Sequence, residues 1–339
     1  MFENRNPHSP SQPQPLPPKG EAAQHFAARA KVVQTGANAG LERVLAERPD
    51  LIGQPCVMPQ AGLSALTYLF TDEVVKMPRL PSQHDDFARE HRILAHLHAA
   101  GLPVPAVTAT GSDDAFYCQE RKTGAHFDCD RLERAGFFAT AACQIADFML
   151  AAQQAVSEHD AANLGLKTAT PDRAQLEALL QMNDFQSVLR QSDEDIVDAL
   201  RAYVASRDGV EPVFMHADLQ PANLLCDPVT GELKTVIDFG LCHYGDPAVA
   251  FHALYRYFPH DFVDTVADVY AQATGTEPVR LQQAVTARLA AEMLACAQGM
   301  GDKKELCHGH RSWLGDIIIE FDNSVTGYVP PKGHFMGIM

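Results

Sequence analysis

Short stretches rich in apolar residues, separated by turn residues, recur from Val57 to Glu120, a pattern typical of β-strands. The stretch from Asp85 to His98 differs, because its apolar residues recur at helical spacing. The apolar side of that helix is formed by Phe87, Ile93, Leu94 and Leu97. The predicted strands begin at Val57 and continue over Leu66 to Phe70, Glu73 to Met77, Val104 to Ala109 and Ala115 to Glu120. We expect a small sheet that carries one helix.

Helical spacing dominates the chain after Gly124, apart from a strand-rich segment from Val213 to Gly240. The predicted helices cover Arg131 to Val156, Asp172 to Met182, Asp193 to Ser206 and the chain from Asp246 onward. Two more precede the sheet, Glu21 to Val33 and Leu41 to Glu47, the second of which stops before Pro49. The predicted fold class is α+β, with a small antiparallel-sheet N-lobe, a larger and mostly helical C-lobe, and the chemistry between them.

Three regions are predicted along the chain. Residues 1–20 are rich in Pro, Ser, Gln and Asn, and we expect a disordered leader there. Residues 21–122 form the predicted N-lobe, with a hinge at about 119–123, and residues 123–339 form the predicted C-lobe.

Composition narrows the classes of partner. A formal net charge of -16 argues against nucleic acid, because binding to phosphate backbones relies on clustered Lys and Arg. No run of about 18 apolar residues is found, so no membrane span is expected. None of the eight cysteines forms a C-x-x-C pair. We predict a cytoplasmic protein, monomer or homodimer, with export of the leader by a dedicated secretion system left open.

The most informative segment combines acidic and amide side chains at fixed spacing. His216, Asp218 and Asn223 lie on one predicted loop, and Asp238 follows Asn223 by 15 residues. The residues between them form a predicted hairpin whose turn lies at residues 227–231. The hairpin would hold Asn223, just before one strand, beside Asp238, just after the other.

Transfer of a phosphoryl group from ATP needs hard oxygen ligands for metal ions and a carboxylate near the attacking hydroxyl. Asn223 and Asp238 suit the first task, with Mg²⁺ as the expected ion. Asp218 suits the second, as the group that orients the acceptor hydroxyl and takes its proton. His216 is expected to brace the loop by hydrogen bonding. Loop capping is the competing explanation for His216, Asp218 and Asn223, since Asp and Asn favour turns for their own reasons.

The pattern resembles that of the aminoglycoside phosphotransferase and choline kinase-like family, relatives of the protein kinases. It consists of H-x-D-x-x-x-x-N from His216 to Asn223, then I-D-F-G ending at Gly240, then G-D-P ending at Pro247. The resemblance implies a two-lobed protein-kinase-like fold and an ATP-dependent kinase. One departure concerns the subfamily more than catalysis: Ala250 stands where the family usually has Asp.

The resemblance also assigns nucleotide-binding residues in the N-lobe. Lys76 is expected to contact the α- and β-phosphates, with Glu90 on the next helix as its ion-pair partner. Gly62 and Ser64 lie on a turn that resembles the phosphate-covering loop, although it holds one glycine where relatives often have more. The hinge strand is expected to hold the adenine by backbone groups near Gln119, Glu120 and Lys122.

The acceptor is expected to be a hydroxyl of a sugar, an aminoglycoside, an amino alcohol or a similar small molecule, and GTP is an alternative to ATP as donor. Two other functions stay open at this point. One is a protein kinase or secreted effector kinase of the same fold, against which the lack of an Ala-Pro-Glu activation segment argues. The other is a nucleotide-binding pseudokinase that serves as a partner-binding module.

Overall fold

The structure is a computed structural model that describes residues 39–58, 65–80, 83–134, 136–169, 173–181, 194–207 and 210–299. The described residues divide into two compact units, one that ends at Ile52 and one that begins at Gly53. In the first unit, helix α1 covers residues 39–47 and a short 3-10 turn follows at Pro49–Leu51, which confirms the second predicted helix. The predicted leader and the predicted helix from Glu21 to Val33 lie outside the described residues.

The second unit contains a four-stranded antiparallel sheet in the order β1-β2-β4-β3. Its strands are β1 (Ala65–Leu69), β2 (Glu73–Pro78), β3 (Val107–Thr110) and β4 (Tyr117–Glu120). All four coincide with predicted strands, although β3 begins three residues later than expected, after Pro103 and Pro105, which have no N–H to donate to a ladder. Of the strand predicted from Val57, the structure describes one bridge, to Leu69.

Helix α2 (His84–Ala99) follows the first hairpin and contacts β2 and β3. The four residues predicted for its apolar side, Phe87, Ile93, Leu94 and Leu97, are all buried. Glu90 is also buried, at 2% exposure, on the same helix. A carboxylate is rarely buried without a partner, so this position indicates a specific contact.

The remainder of the unit is mostly helical. Its helices are α3 (Cys129–Arg134), α4 (Phe138–Ala155), α5 (Glu158–Leu164), α6 (Arg173–Leu180), α7 (Glu194–Ser206), α8 (Ala248–Tyr257), α9 (His260–Thr274) and α10 (Leu281–Gly299). The prediction of a single helix from Arg131 to Val156 is wrong. The helix is interrupted between α3 and α4 at Gly136, because its φ of +75° is not helical. Helix α5 was not predicted, although Ser157 and Asp160 form a capping box at its start.

Two small sheets are set among these helices. One has the order β5-β8-β9, formed by Ala125–His126, Leu224–Cys226 and Leu233–Val236. The other has the order β6-β10-β7, formed by Lys167–Ala169, His243–Gly245 and Val213–Met215. Strands β7, β8 and β9 belong to the predicted strand-rich segment, whereas β5, β6 and β10 were not predicted. Among the described residues, no helix has the length and apolar character needed to cross a bilayer.

Candidate active site

The hairpin β8–β9 brings the two ends of the predicted motif together. Asn223 closes a 3-10 turn directly before β8, and its carbonyl accepts a hydrogen bond of 2.9 Å from the amide of Ile237, directly after β9. Asp238 is the next residue. As expected, Asn223 and Asp238 therefore lie at adjacent ends of the hairpin.

Asp218 is held by donors from its own loop. Asn223 donates from Nδ2 to the main-chain carbonyl and to the carboxylate oxygen Oδ2 of Asp218, both at 2.9 Å. Gln220 donates to the same Oδ2 at 3.1 Å. Burial, joined by the nearby charge of Asp238, raises the pKa of Asp218 to about 6 against these hydrogen bonds. The carboxyl group thus titrates much closer to neutrality than an ordinary aspartate.

His216 lies beneath this loop at 3% exposure. Its Nδ1 accepts a hydrogen bond of 3.3 Å from the amide of Asp218, so the proton belongs on Nε2, which donates to the carbonyl of Ile237 at 3.1 Å. Burial lowers the pKa of His216 to about 4, which keeps the ring neutral at physiological pH. One side chain thereby connects the loop of Asp218 with the end of β9.

Asp238 differs from Asp218 in its exposure and its backbone. Its side chain is 50% exposed, and its φ of +68° lies in the left-handed region, which Asp tolerates better than most residues. Burial works towards a higher pKa, but the Lys76 ammonium 2.9 Å from Oδ1 holds the pKa of Asp238 below its usual range. This carboxylate is ionised throughout the physiological range.

Lys76 and Glu90 form a buried ion pair between the sheet and helix α2. The Nζ atom of Lys76 lies 2.6 Å from Oε1 of Glu90, and the two side chains are 10% and 3% exposed. Burial lowers the pKa of Lys76, but the charges around it, that of Glu90 foremost, hold the pKa well above its usual range. The ammonium group therefore joins three separate segments: β2, α2 and the turn after β9.

The hinge residues lie at the end of β4. Gln119 is buried at 7% exposure, and Lys122 forms an ion pair of 2.7 Å with Glu120. Gly62 and Ser64 lie outside the described residues, so their expected contact with phosphate stays a prediction. Among the described residues, no group of three or more His, Cys, Asp and Glu side chains could hold a metal ion. The assignment of Asn223 and Asp238 as metal ligands stays a prediction.

Sequence reasoning missed several residues around the site. Gln220 lies inside the motif, but its contact with Asp218 depends on how the loop turns. Asp246 was noted only as part of G-D-P; in the structure it is buried at 1% exposure and receives two hydrogen bonds from Arg207, at 2.6 and 2.7 Å, and one from Tyr203. No sequence signal pairs a loop residue with an arginine 39 residues earlier. These hydrogen bonds connect the C-terminal end of α7 to the turn before α8.

The departure at position 250 lies behind the loop that carries His216 and Asp218. Ala250 is buried in α8 and lines a small cavity together with His216 and Leu219. A methyl group therefore faces the back of the loop at this position.

Comparisons with known proteins agree with this architecture. The family model described as "Phosphotransferase enzyme family" matches residues 58–308. A search of the curated proteins found no significant match. An APH(2″) enzyme solved with GDP and kanamycin is 18% identical, with a TM-score of 0.65 over 85% of this chain and 99% of its own.

Two other solved structures are similar to the chain over comparable lengths. The APH(2″)-IIa ternary complex with streptomycin and ATP is 17% identical, with a TM-score of 0.58 over 82% of this chain and 97% of its own. Macrolide 2′-phosphotransferase MphH from Brachybacterium faecium, solved as the apoenzyme, is 18% identical, with a TM-score of 0.56 over 86% of this chain and 98% of its own. At these identities the likeness establishes the fold, and the expected kinase-like α+β fold is confirmed.

The fold and the family match define a phosphotransferase with a kinase-like fold. The chain belongs to the phosphotransferase enzyme family.

Proposed function

We propose that this protein transfers the γ-phosphoryl group of ATP, bound with Mg²⁺, to a hydroxyl group of a small molecule. The observation that supports this most is the double contact of Lys76, at 2.6 Å from Glu90 and 2.9 Å from Asp238. Catalysis of phosphoryl transfer is almost entirely positioning and charge stabilisation. A buried cation fixed between a helix and a candidate metal ligand is suited to hold the α- and β-phosphates.

Asp218 is the proposed base. Two donors occupy its Oδ2 atom, and no described residue donates to Oδ1, which leaves Oδ1 for the acceptor hydroxyl. With a pKa of about 6, the carboxylate is mostly ionised at neutral pH and yet basic enough to share the hydroxyl proton. His216 acts as a positioning residue, since its neutral ring holds the amide of Asp218.

Asn223 and Asp238 are the proposed ligands of Mg²⁺. The Asn223 amide nitrogen faces Asp218, which leaves its oxygen as a neutral ligand, and half of the Asp238 side chain is exposed. Two protein oxygens fit Mg²⁺, which usually keeps several waters and binds phosphate oxygens at its other positions. Held by Asn223 and Asp238, the ion would supply the positive charge that neutralises charge developing on the phosphate oxygens.

The proposed nucleotide site uses residues from both predicted lobes, with the boundary at about residues 119–123. Backbone groups near Gln119, Glu120 and Lys122 hold the base, and Gly62 and Ser64 cover the phosphates. Similar proteins have been solved with GDP and with ATP, which supports a nucleotide donor. We propose ATP, with GTP as the alternative to be tested. Because backbone groups make these proposed contacts, the identities of the hinge side chains say little about the choice between the two bases.

The proposed acceptor class is supported by the similar structures, which include complexes with kanamycin and streptomycin and a macrolide phosphotransferase. These are small molecules that carry several hydroxyl groups. We therefore favour a sugar, an aminoglycoside, an amino alcohol or a related compound over a protein acceptor. A pseudokinase function is disfavoured, because the lysine, the base and both metal ligands are all present.

The test is a screen of hydroxyl-bearing metabolites, aminoglycosides and macrolides with MgATP and MgGTP, scored by release of ADP or GDP. We expect at least one compound to raise the release rate well above the slow rate without acceptor, and the phosphorylated product to appear by mass spectrometry. Phosphorylation of protein mixtures alone would contradict the small-molecule assignment. Nucleotide binding with no turnover under any acceptor would support the pseudokinase instead.

A further inference from the structure

The backbone of Ala217 is strained in the folded protein. Ala217 lies between His216 and Asp218, is buried, and has a φ of +59°, which lies in the left-handed region. Among the described residues other than glycine, four have a positive φ, and three of these are aspartates. Aspartate tolerates this region because its short polar side chain can bond to nearby backbone groups, whereas the methyl group of alanine cannot. Surrounding contacts must therefore hold Ala217 in this conformation.

One of these contacts is made by the side chain of His216, which bridges over Ala217. Its Nδ1 accepts a hydrogen bond of 3.3 Å from the amide of Asp218, the residue directly after Ala217. Its Nε2 donates to the carbonyl of Ile237 at 3.1 Å, and the ring packs edge-to-face against Phe239, with 4.6 Å between ring centres. Because Ile237 and Phe239 fix the ring, the amide of Asp218 cannot turn away without losing its partner.

The conformation of Ala217 sets the direction in which the chain enters Asp218, because the two dihedrals of one residue rotate everything that follows it. From this direction, the Oδ2 atom of Asp218 receives hydrogen bonds from Gln220 and Asn223, at 3.1 and 2.9 Å. Relaxation of Ala217 to a negative φ would turn the carboxylate away from these donors. The strained conformation is thus coupled to the placement of the carboxylate.

We propose that Ala217 is a positioning residue whose left-handed backbone, held by His216, directs the Asp218 carboxylate towards the acceptor hydroxyl. This inference rests on the proposed function in one respect, since it requires Asp218 to be the base. It goes beyond that function because it makes the placement of the base depend on backbone strain at the preceding residue. In this role Ala217 acts through the backbone and not through contact with the substrate.

The strain is tested by comparing Ala217→Gly with Ala115→Gly, a matched control. Ala115 is also buried, but its φ of -63° is an ordinary right-handed value. Both substitutions remove a buried methyl group and add the same backbone freedom, so the difference between them measures the left-handed conformation. We expect Ala217→Gly to melt about 3 °C higher than Ala115→Gly. Equal melting temperatures would overturn the strain at Ala217.

The part of His216 is tested in a His216→Leu background. Leucine is close in size to histidine but accepts no hydrogen bond from Asp218, so Ala217 is released. In this background Ala217→Gly and Ala115→Gly should lower the melting temperature equally, within about 1 °C. His216→Phe repeats the comparison with a ring that keeps the contact with Phe239. A difference that persisted at about 3 °C in either background would overturn the hold of His216 on Ala217.

Phosphoryl transfer measures whether the strain serves the base. The rate is ADP release from MgATP, with an acceptor found in the screen or with water alone, and calorimetry measures MgATP affinity. His216→Leu should lower the rate by about a hundredfold, the effect of a small misplacement, and leave the affinity within about twofold. Adding Ala217→Gly should restore the rate by about tenfold, because glycine adopts the left-handed conformation unaided.

The outcomes separate this inference from the proposed function. A rate that does not recover in the double variant would overturn the positioning role, since a purely structural part for Ala217 predicts no recovery. A wild-type protein that releases no ADP under any condition would overturn the proposed function, and with it the catalytic purpose of the strain. The melting comparisons would still decide whether Ala217 is strained, because they need neither nucleotide nor acceptor.

Discussion

The loop that carries Asp218 and the turn after β9 that carries Asp238 each present one carboxylate to the candidate site. The environments of these two carboxylates differ. Asp218 lies half-buried among donors of its own loop, and its pKa is raised to about 6. Asp238 is exposed on a left-handed turn, and Lys76, which is 162 residues away in sequence, holds its pKa below the usual range. The carboxyl group of Asp218 therefore has a raised pKa, whereas the carboxyl group of Asp238 stays ionised at physiological pH.

This difference supports separate roles. Pairs of titratable groups whose environments separate their pKa values often divide the work of acid–base chemistry and charge binding. A group that titrates near neutrality can accept a proton, whereas a carboxylate that stays ionised suits a metal ion. The site therefore favours Asp218 as base and Asp238 as ligand, and not the reverse.

The largest effect is expected from Asp238→Asn. Asparagine keeps the shape of the side chain and tolerates the positive φ of +68°, so the variant removes little besides the charge. Loss of a metal ligand should lower kcat by about a thousandfold and raise the Mg²⁺ concentration needed for half-maximal rate. The control is Asp268→Asn, an exposed carboxylate paired with Arg280, which should leave both quantities unchanged. Wild-type Mg²⁺ dependence in Asp238→Asn would contradict the ligand assignment.

A second prediction concerns Lys76 and separates the part its charge plays in nucleotide binding from its part in stabilising the fold. Lys76→Met should weaken MgATP binding by about a hundredfold, the size of a strong charge-assisted contact. It also leaves Glu90 buried without its cation, which should destabilise the fold by about 3 kcal/mol. Adding Glu90→Gln should restore much of the melting temperature and none of the affinity. If the double variant regained MgATP affinity, the phosphate role of Lys76 would be wrong.

The smallest predicted effect concerns stability against pH in buffer without metal. Burial lowers the pKa of His216 from 6.5 to about 4, so its contribution to stability is complete above pH 6.5 and is lost as the pH falls towards 4. Asp218 has the opposite sign, because its pKa is raised from 3.8 to about 6, and the folded state gains stability as the pH falls through 6. Each contribution is at most about 3 kcal/mol, and in the wild type they largely cancel.

The Asp218→Asn variant removes the pH-dependent contribution of Asp218 to stability and leaves that of His216. Its free energy of unfolding should therefore fall more steeply between pH 6.5 and 4 than that of the wild type, and His216→Asn should show the shallower slope. Urea titrations at several pH values measure both. Parallel pH profiles for the three proteins would show that neither group is buried as described.

Local sequence patterns were sufficient for the elements that depend on local order. Short apolar runs bounded by turn residues predicted β1 to β4, and helical spacing predicted α2 with its four buried apolar residues. Strands β5 and β6 escaped prediction because they are two and three residues long and pair with strands far along the chain. Strand pairing of this kind depends on distant neighbours and has no local signature.

The contacts of the candidate site also fall into two groups, those that the motif predicts and those that depend on distant segments. The motif predicted which side chains from His216 to Asp238 would lie together, because a hairpin of known length connects them. It did not predict that Lys76 contacts Asp238 or that Arg207 binds Asp246. These contacts depend on packing between segments, which spacing along the chain does not determine.

The central claim is tested most directly by single-turnover phosphoryl transfer in Asp218→Asn, with MgATP binding measured on the same preparation. Asparagine retains a side chain able to stay within its loop but cannot take a proton. We predict MgATP affinity within about threefold of the wild type and a transfer rate lower by about a thousandfold. A transfer rate near that of the wild type would show that Asp218 is not the base.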